Sequence, residues 1–130
     1  MAALDRAFAR QLIDATVGTT ALTAVTGSIK CRLYTTSGTA AGAGTEVTLG
    51  SYAAQTVTFN ASTNVDPPVA SSAALASFTG MPACTVVAVG LYDSAGTPRR
   101  LWFGDLAASK VLNGGDTFQI AGGSLTVSLA

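Results

Sequence analysis

The sequence predicts a mainly β protein: an antiparallel β-sandwich or barrel of about eight short strands, led by one short N-terminal α-helix. Three observations carry this. Short runs rich in Val, Thr and Ile recur at near-regular spacing, and several alternate apolar with polar side chains as half-buried strands do. Clusters of Gly, Asn, Asp, Ser and Pro separate the runs and supply turn chemistry. Helical periodicity is confined to one segment near the N-terminus. No linker and no fixed-period repeat divides the chain, so the expected organisation is a helical segment over residues 1–18 and one β-sandwich domain over 19–130.

The elements follow in order. Over residues 3–16, Leu4, Phe8, Leu12 and Ala15 fall on one helical stripe, with Asp5, Arg6, Arg10 and Asp14 mostly around the other sides. The pattern gives out at Val17 and Gly18. A Thr- and Val-rich strand is expected over 19–26. In 28–35, Ile29, Cys31 and Leu33 alternate with Lys30, Arg32 and Tyr34. Residues 37–45 hold little besides Gly, Ala, Ser and Thr, with no side chain to anchor a core, and are expected to be exposed and mobile. A short strand over 46–49 is followed by one over 52–59, with Val57 and Phe59 on one face.

Residues 60–72 read as irregular, since Pro67 and Pro68 exclude a central strand. A weak strand is expected over 73–79. Residues 84–92 are nearly all apolar, which predicts a strand buried on both faces. After a turn over 93–98, residues 99–104 pair back as a hairpin. Residues 107–112 lead into Asn113-Gly114-Gly115, where Asn-Gly suits the positive φ angles of a tight hairpin. Strands over 117–121 and 124–129 flank Gly122-Gly123, with Leu125, Val127 and Leu129 facing inward.

Composition narrows the function. Only 11% of residues are charged, where about 25% is usual. Seven basic residues balance seven acidic ones, so the basic field that nucleic acid requires is absent; only Arg99 and Arg100 stand together. The longest stretch without charge, residues 67–92, is interrupted by Pro67, Pro68, Gly80 and Pro82 and is no membrane-spanning helix. The charged start of the chain lacks the apolar centre of a secretion signal, which predicts synthesis and use in a cytoplasm. Low charge beside abundant Thr, Ser and Ala fits a surface buried in an assembly, or simply one covered by small polar residues.

Catalytic and metal chemistry find little support. The chain has no His, so nucleophilic triads lack their usual base and no zinc spacing exists around Cys31 or Cys84. These two cysteines read as buried thiols, with a disulfide as the alternative. Asp93, Asp105 and Asp116 lie in turns or beside Gly, where Asp serves turn hydrogen bonding. No loop gathers acids for calcium, and the Gly-rich stretches lack the Lys-Ser/Thr end of a phosphate loop. No cofactor is expected. Tyr34, Tyr52, Tyr92, Trp102 and Phe103 can form a sugar-stacking platform, but such residues more often serve as core and cross-strand pairs.

The runs VVAVGLYDSAG (86–96) and LWFGDLAASKVLNGGDTFQIAGGSLTVSL (101–129) resemble small bacteriophage virion proteins commonly labelled tail fibre or head decoration-like proteins. Arg32-Leu33-Tyr34, Gly44-Thr45-Glu46-Val47 and Tyr52, Gln55, Val57 and Phe59 fit the same pattern in order, so the resemblance spans residues 29–129. It implies a non-enzymatic structural component of a virion, assembled in the host cytoplasm. With neither a repeat nor a coiled-coil stalk, the chain suits a capsid decoration (cement) protein. Such a protein binds the major capsid protein as a homo-oligomer, commonly a homotrimer, through many weak contacts. The alternative is a tail-fibre or receptor-binding module. The expected partner contacts are Leu4, Phe8, Arg10 and Leu12, and Ser37, Gly38, Thr39, Gly42 and Gly44. The helix stripe can face its own sheet first or a neighbouring copy second, and the loop can order on binding.

Overall fold

The computed structural model describes residues 2–128. Its elements are β1 (Ala3–Leu4), α1 (Arg6–Thr16), β2 (Lys30–Tyr34), β3 (Gln55–Thr56), β4 (Val69–Ser71), β5 (Ala76–Met81), β6 (Cys84–Tyr92), β7 (Arg100–Leu112), β8 (Asp116–Ile120) and β9 (Thr126–Ser128). The predicted class holds: mainly β, one short helix, and antiparallel strand ladders throughout. The main sheet has the order β1-β7-β6-β2-β3, while β4 pairs with β9 and β5 with β8.

One core joins these layers. Cys31, Leu33, Val89 and Leu91 from the main sheet meet Phe78, Met81, Phe118 and Ile120 from the β5–β8 pair. Phe78 is fully buried, stacked on Tyr52 at 6.2 Å and edge-on to Phe118 at 6.1 Å. Burying such a ring stabilises the fold by about 2–3 kcal/mol. Cys31 and Cys84 are free thiols, and burial pushes the Cys31 thiol up to about 12.

β6 is buried on both faces, as its apolar run predicts. Val86, Val89 and Leu91 enter the main core, whereas Ala88 and Tyr92 join Tyr34 in a second cluster. Strict alternation would put Val86 and Val89 on opposite faces. A register shift resolves this: Val86 pairs with Lys110 and Ala88 with Asp105, so two steps of β6 face five steps of β7. The bulge resets which face each side chain takes.

Several boundaries differ from expectation. The helix begins at Arg6, not at residue 3; Ala3 and Leu4 are a strand paired with Phe103 and Trp102. Asp5 sets the break, with extended backbone (φ −60°, ψ 141°) and a side chain that accepts from the Ala7 N–H. Residues 19–26 form no strand, because no neighbouring strand lies alongside and every one of them is exposed. Residues 46–49 contribute one isolated bridge, Glu46 to Tyr34, and residues 52–59 the short β3 and a bridge from Phe59 to Ser72. Part of the irregular stretch, Val69–Ser71, is a strand because β9 lies beside it. The two strands expected over 99–104 and 107–112 are one, β7, continuous through the bulge. The Asn113-Gly114 turn forms with Gly115 at φ +89°, yet β7 and β8 do not pair across it; β7 goes to β6 and β8 to β5. Leu129, expected to face inward, lies outside the described residues.

Candidate functional site

The two segments expected to make contacts meet at one end of the main sheet, where two adjacent arginines organise them. Arg100 opens β7, and its side chain is almost buried. Its Nε and Nη2 donate to Asp5 Oδ2 at 2.9 and 2.8 Å. Nη2 also donates to the Thr39 carbonyl. Asp5 caps α1 through its other oxygen, and its own N–H donates to the Leu101 carbonyl at 2.9 Å. The Arg6 N–H, left unpaired by helix geometry, donates to the Ala40 carbonyl at 2.8 Å. One guanidinium thus joins the start of the helix, the start of β7 and the 37–45 loop.

The loop is built to accept this. Thr39 and Gly42 exchange two backbone hydrogen bonds of 2.8 and 3.2 Å, closing a tight turn. A Cβ on Gly38 would lie 2.9 Å from Arg100 Nη1. A Cβ on Gly44 would strike the Thr36 carbonyl at 2.0 Å, so only glycine allows that crossing. The loop is mostly exposed, as expected, but backbone and Arg100 hydrogen bonds hold it.

Arg99 anchors different segments. Its Nε donates to Asp93 Oδ2 at 3.0 Å and its Nη1 to Gln11 Oε1 at 2.8 Å. Its Nη2 reaches the Ala24 carbonyl at 3.1 Å, and the guanidinium lies 5.8 Å from the Phe8 ring centre. Burial pushes the Asp93 carboxyl up, but hydrogen bonds from the Arg99 and Ala95 N–H groups and from the Arg99 guanidinium outweigh it and hold the group below its usual range.

Of the expected contact residues, Leu4 is half-buried opposite Trp102, Phe8 is buried, and Leu12 is half-buried. Phe8 lines an apolar cavity of about 200 Å³ with Leu101 and Trp102, so this stripe faces its own sheet. Arg10 is exposed, and beside it the helix presents Ile13 and Val17, 61% and 67% exposed. Ser37, Thr39 and Gly42 are exposed, whereas Gly38 and Gly44 are half-buried.

Sequence reasoning missed Asp5, Asp93, Arg99 and Arg100 as organisers. A signal was present: Asp5 precedes a helical run at cap spacing, and the Arg pair follows a turn that begins with Asp93. The aromatic residues serve mainly as core and cross-strand groups rather than as a sugar-stacking platform. Tyr34 and Tyr92 are buried, their hydroxyls 2.6 Å apart, while Arg32 lies 4.2 Å over the Tyr92 ring. Tyr52 donates to Glu46 Oε2 at 2.7 Å and accepts from the Leu33 N–H. Burial pushes the Tyr34 and Tyr52 hydroxyls up, so both stay protonated as structural groups.

Among the described residues, no three His, Cys, Asp or Glu side chains come together to hold a metal ion, and no helix is long and apolar enough to cross a membrane. The site offers backbone edges, small side chains and a few exposed apolar groups, which is the chemistry of protein contact. A family model described as Podophage GP4 fiber I protein gp80 matches residues 3–128. No curated protein matches the chain.

Proposed function

Because the chain belongs to the podophage GP4 fiber I protein gp80 family and is thus a structural component of a phage virion, we propose that it is a fibre subunit that acts by protein contact and without catalysis. The family match over nearly the whole chain carries this reading. Supporting it are the exposed apolar side chains Ile13, Val17, Leu49 and Val111, which give self-association or docking a driving force. The subunit assembles with copies of itself, three in the simplest symmetric form, and with other virion proteins. It uses no cofactor, nucleic acid or membrane.

Capsid decoration is the second reading. It is favoured by one observation: among the described residues the single helix has 11 residues, and none forms a coiled-coil stalk. In that case the copies sit on the major capsid protein. Cryo-EM of purified virions separates the two. Density for this chain at the tail supports the fibre subunit, and density repeating over the capsid lattice replaces it with decoration. If virions treated to remove this chain adsorb to cells normally, a receptor-binding role for the fibre fails.

A further inference from the structure

The Asn113-Gly114 turn joins two ladders of the fold. β7 enters it from its ladder with β6, and β8 leaves it for its ladder with β5. Leu112, just before the turn, is buried opposite Cys84. Gly115, inside the turn, donates its N–H to the carbonyl of the fully buried Met81 at 2.8 Å. Hydrogen bonds between its two ends close the turn: the Asp116 N–H donates to the Asn113 carbonyl at 3.1 Å, and the Asn113 N–H to Asp116 Oδ2 at 2.8 Å. Gly115, at φ +89°, supplies the positive angle that the third position of a type II turn needs.

These bonds fix the backbone on either side and leave the middle free. Asn113 and Gly114 are both exposed, and among the described residues neither the Asn113 side-chain amide nor the Gly114 N–H has a hydrogen-bond partner. A Cβ built on Gly114 would meet no atom within 4 Å, so nothing crowds its nitrogen. Asparagine is a thermolabile residue, because the nitrogen of the next residue can attack its side-chain carbonyl. A hydrogen-bonded or shielded nitrogen holds that reaction back in a folded chain, and the Gly114 nitrogen is neither. The other asparagines, Asn60 and Asn64, are followed by Ala61 and Val65, whose side chains shield the attacking nitrogen.

We propose that Asn113 is a site of spontaneous deamidation, which yields an isoaspartyl form of the subunit with a longer and more negative β7–β8 turn. The Gly114 nitrogen gives up its proton and bonds to Asn113 Cγ; the Cγ–Nδ2 bond breaks, and ammonia leaves with that proton. Water then opens the cyclic imide. Entry at Cγ leaves an aspartate. Entry at the former backbone carbonyl leaves an isoaspartate, in which the chain runs through Cβ and Cγ. The isoaspartate lengthens the chain by one bonded carbon, about 1.5 Å, and removes from the main chain the carbonyl that accepts from Asp116. Either product sets a new carboxylate close to that of Asp116, in a chain whose formal net charge is zero. The turn loosens where β8 starts opposite Met81. The inference is independent of the fibre reading, since it needs only the turn.

The test ages the full chain, folded, in mildly alkaline buffer at physiological temperature. Trypsin then releases residues 111–130, where Asn113 is the only asparagine, apart from residues 33–99, which hold Asn60 and Asn64. Chromatography with mass spectrometry should show the first peptide exchanging its amide NH2 for OH and splitting into aspartyl and isoaspartyl species, at least tenfold faster than the second. Gly114→Ala, which fits the open space and needs no positive φ, should keep the circular dichroism spectrum and slow the exchange at least tenfold. The aged wild type should unfold at a lower urea concentration than the fresh protein, and aged Gly114→Ala should not. If the folded chain keeps Asn113 while the urea-unfolded chain converts it, the turn protects the residue and the site is overturned. Equal rates in wild type and Gly114→Ala overturn the role of the open nitrogen. An unchanged urea midpoint in the converted chain overturns the loosened turn.

Discussion

The two halves of β7 are one strand in two situations. From Arg100 to Phe103, β6 lies on one side and β1 with the Asp5 N–H on the other, and the loop and helix are tied in by charge-assisted hydrogen bonds. From Gly104 to Leu112, β1 no longer runs alongside, residues 106–109 bulge away from β6, and Val111 is 71% exposed. The first half is tied down on every side; the second is mostly open to solvent. A single strand can therefore be packed at one end and exposed at the other.

This contrast can be broken most forcefully at Arg100. Arg100→Ala leaves Asp5 without its partner in a half-buried site and frees the Thr39 carbonyl. Stability should fall by about 3 kcal/mol, as when one member of a buried pair is removed, read by urea denaturation. Arg99→Ala should cost somewhat less, about 2 kcal/mol, because the buried Asp93 carboxylate keeps the backbone N–H groups of residues 95 and 99, and Gln11 and the Ala24 carbonyl can turn to water. Asp93→Asn sharpens the point through pH. The folded Asp93 carboxyl lies below its ordinary 3.8, so its stabilisation is complete above that value and is lost as pH falls through the lower folded value. The gap in stability between wild type and Asp93→Asn should therefore be constant near neutrality and shrink below pH 3.8. The smallest effect belongs to the exposed half. Val111→Lys should change monomer stability by no more than about 0.5 kcal/mol. A loss as large as that of Arg100→Ala would show that this half belongs to the monomer core after all.

The fold class was legible because alternation and turn chemistry are local signals. β2 and β6 came through clearly: one alternates strictly, and the other is apolar throughout. What the sequence did not disclose was decided by neighbours. Residues 19–26 have the composition of a strand and the surroundings of a loop, since strand formation needs a partner edge. The bulge in β7 left two apparent strands where one exists. At the candidate site, the N-terminal stripe and the glycine loop were each visible, but their meeting was not. It depends on Arg100 reaching Asp5 across 95 positions of sequence, a contact that no local pattern encodes.

Trp102 gives this arrangement an optical consequence. It is the chain's one tryptophan, and it sits opposite Leu4 while sharing a cavity wall with Phe8. Its emission therefore reports on whether the N-terminal segment is seated. A red shift in Arg100→Ala at temperatures where far-ultraviolet ellipticity is still native would record the segment lifting from the sheet before the rest of the molecule melts.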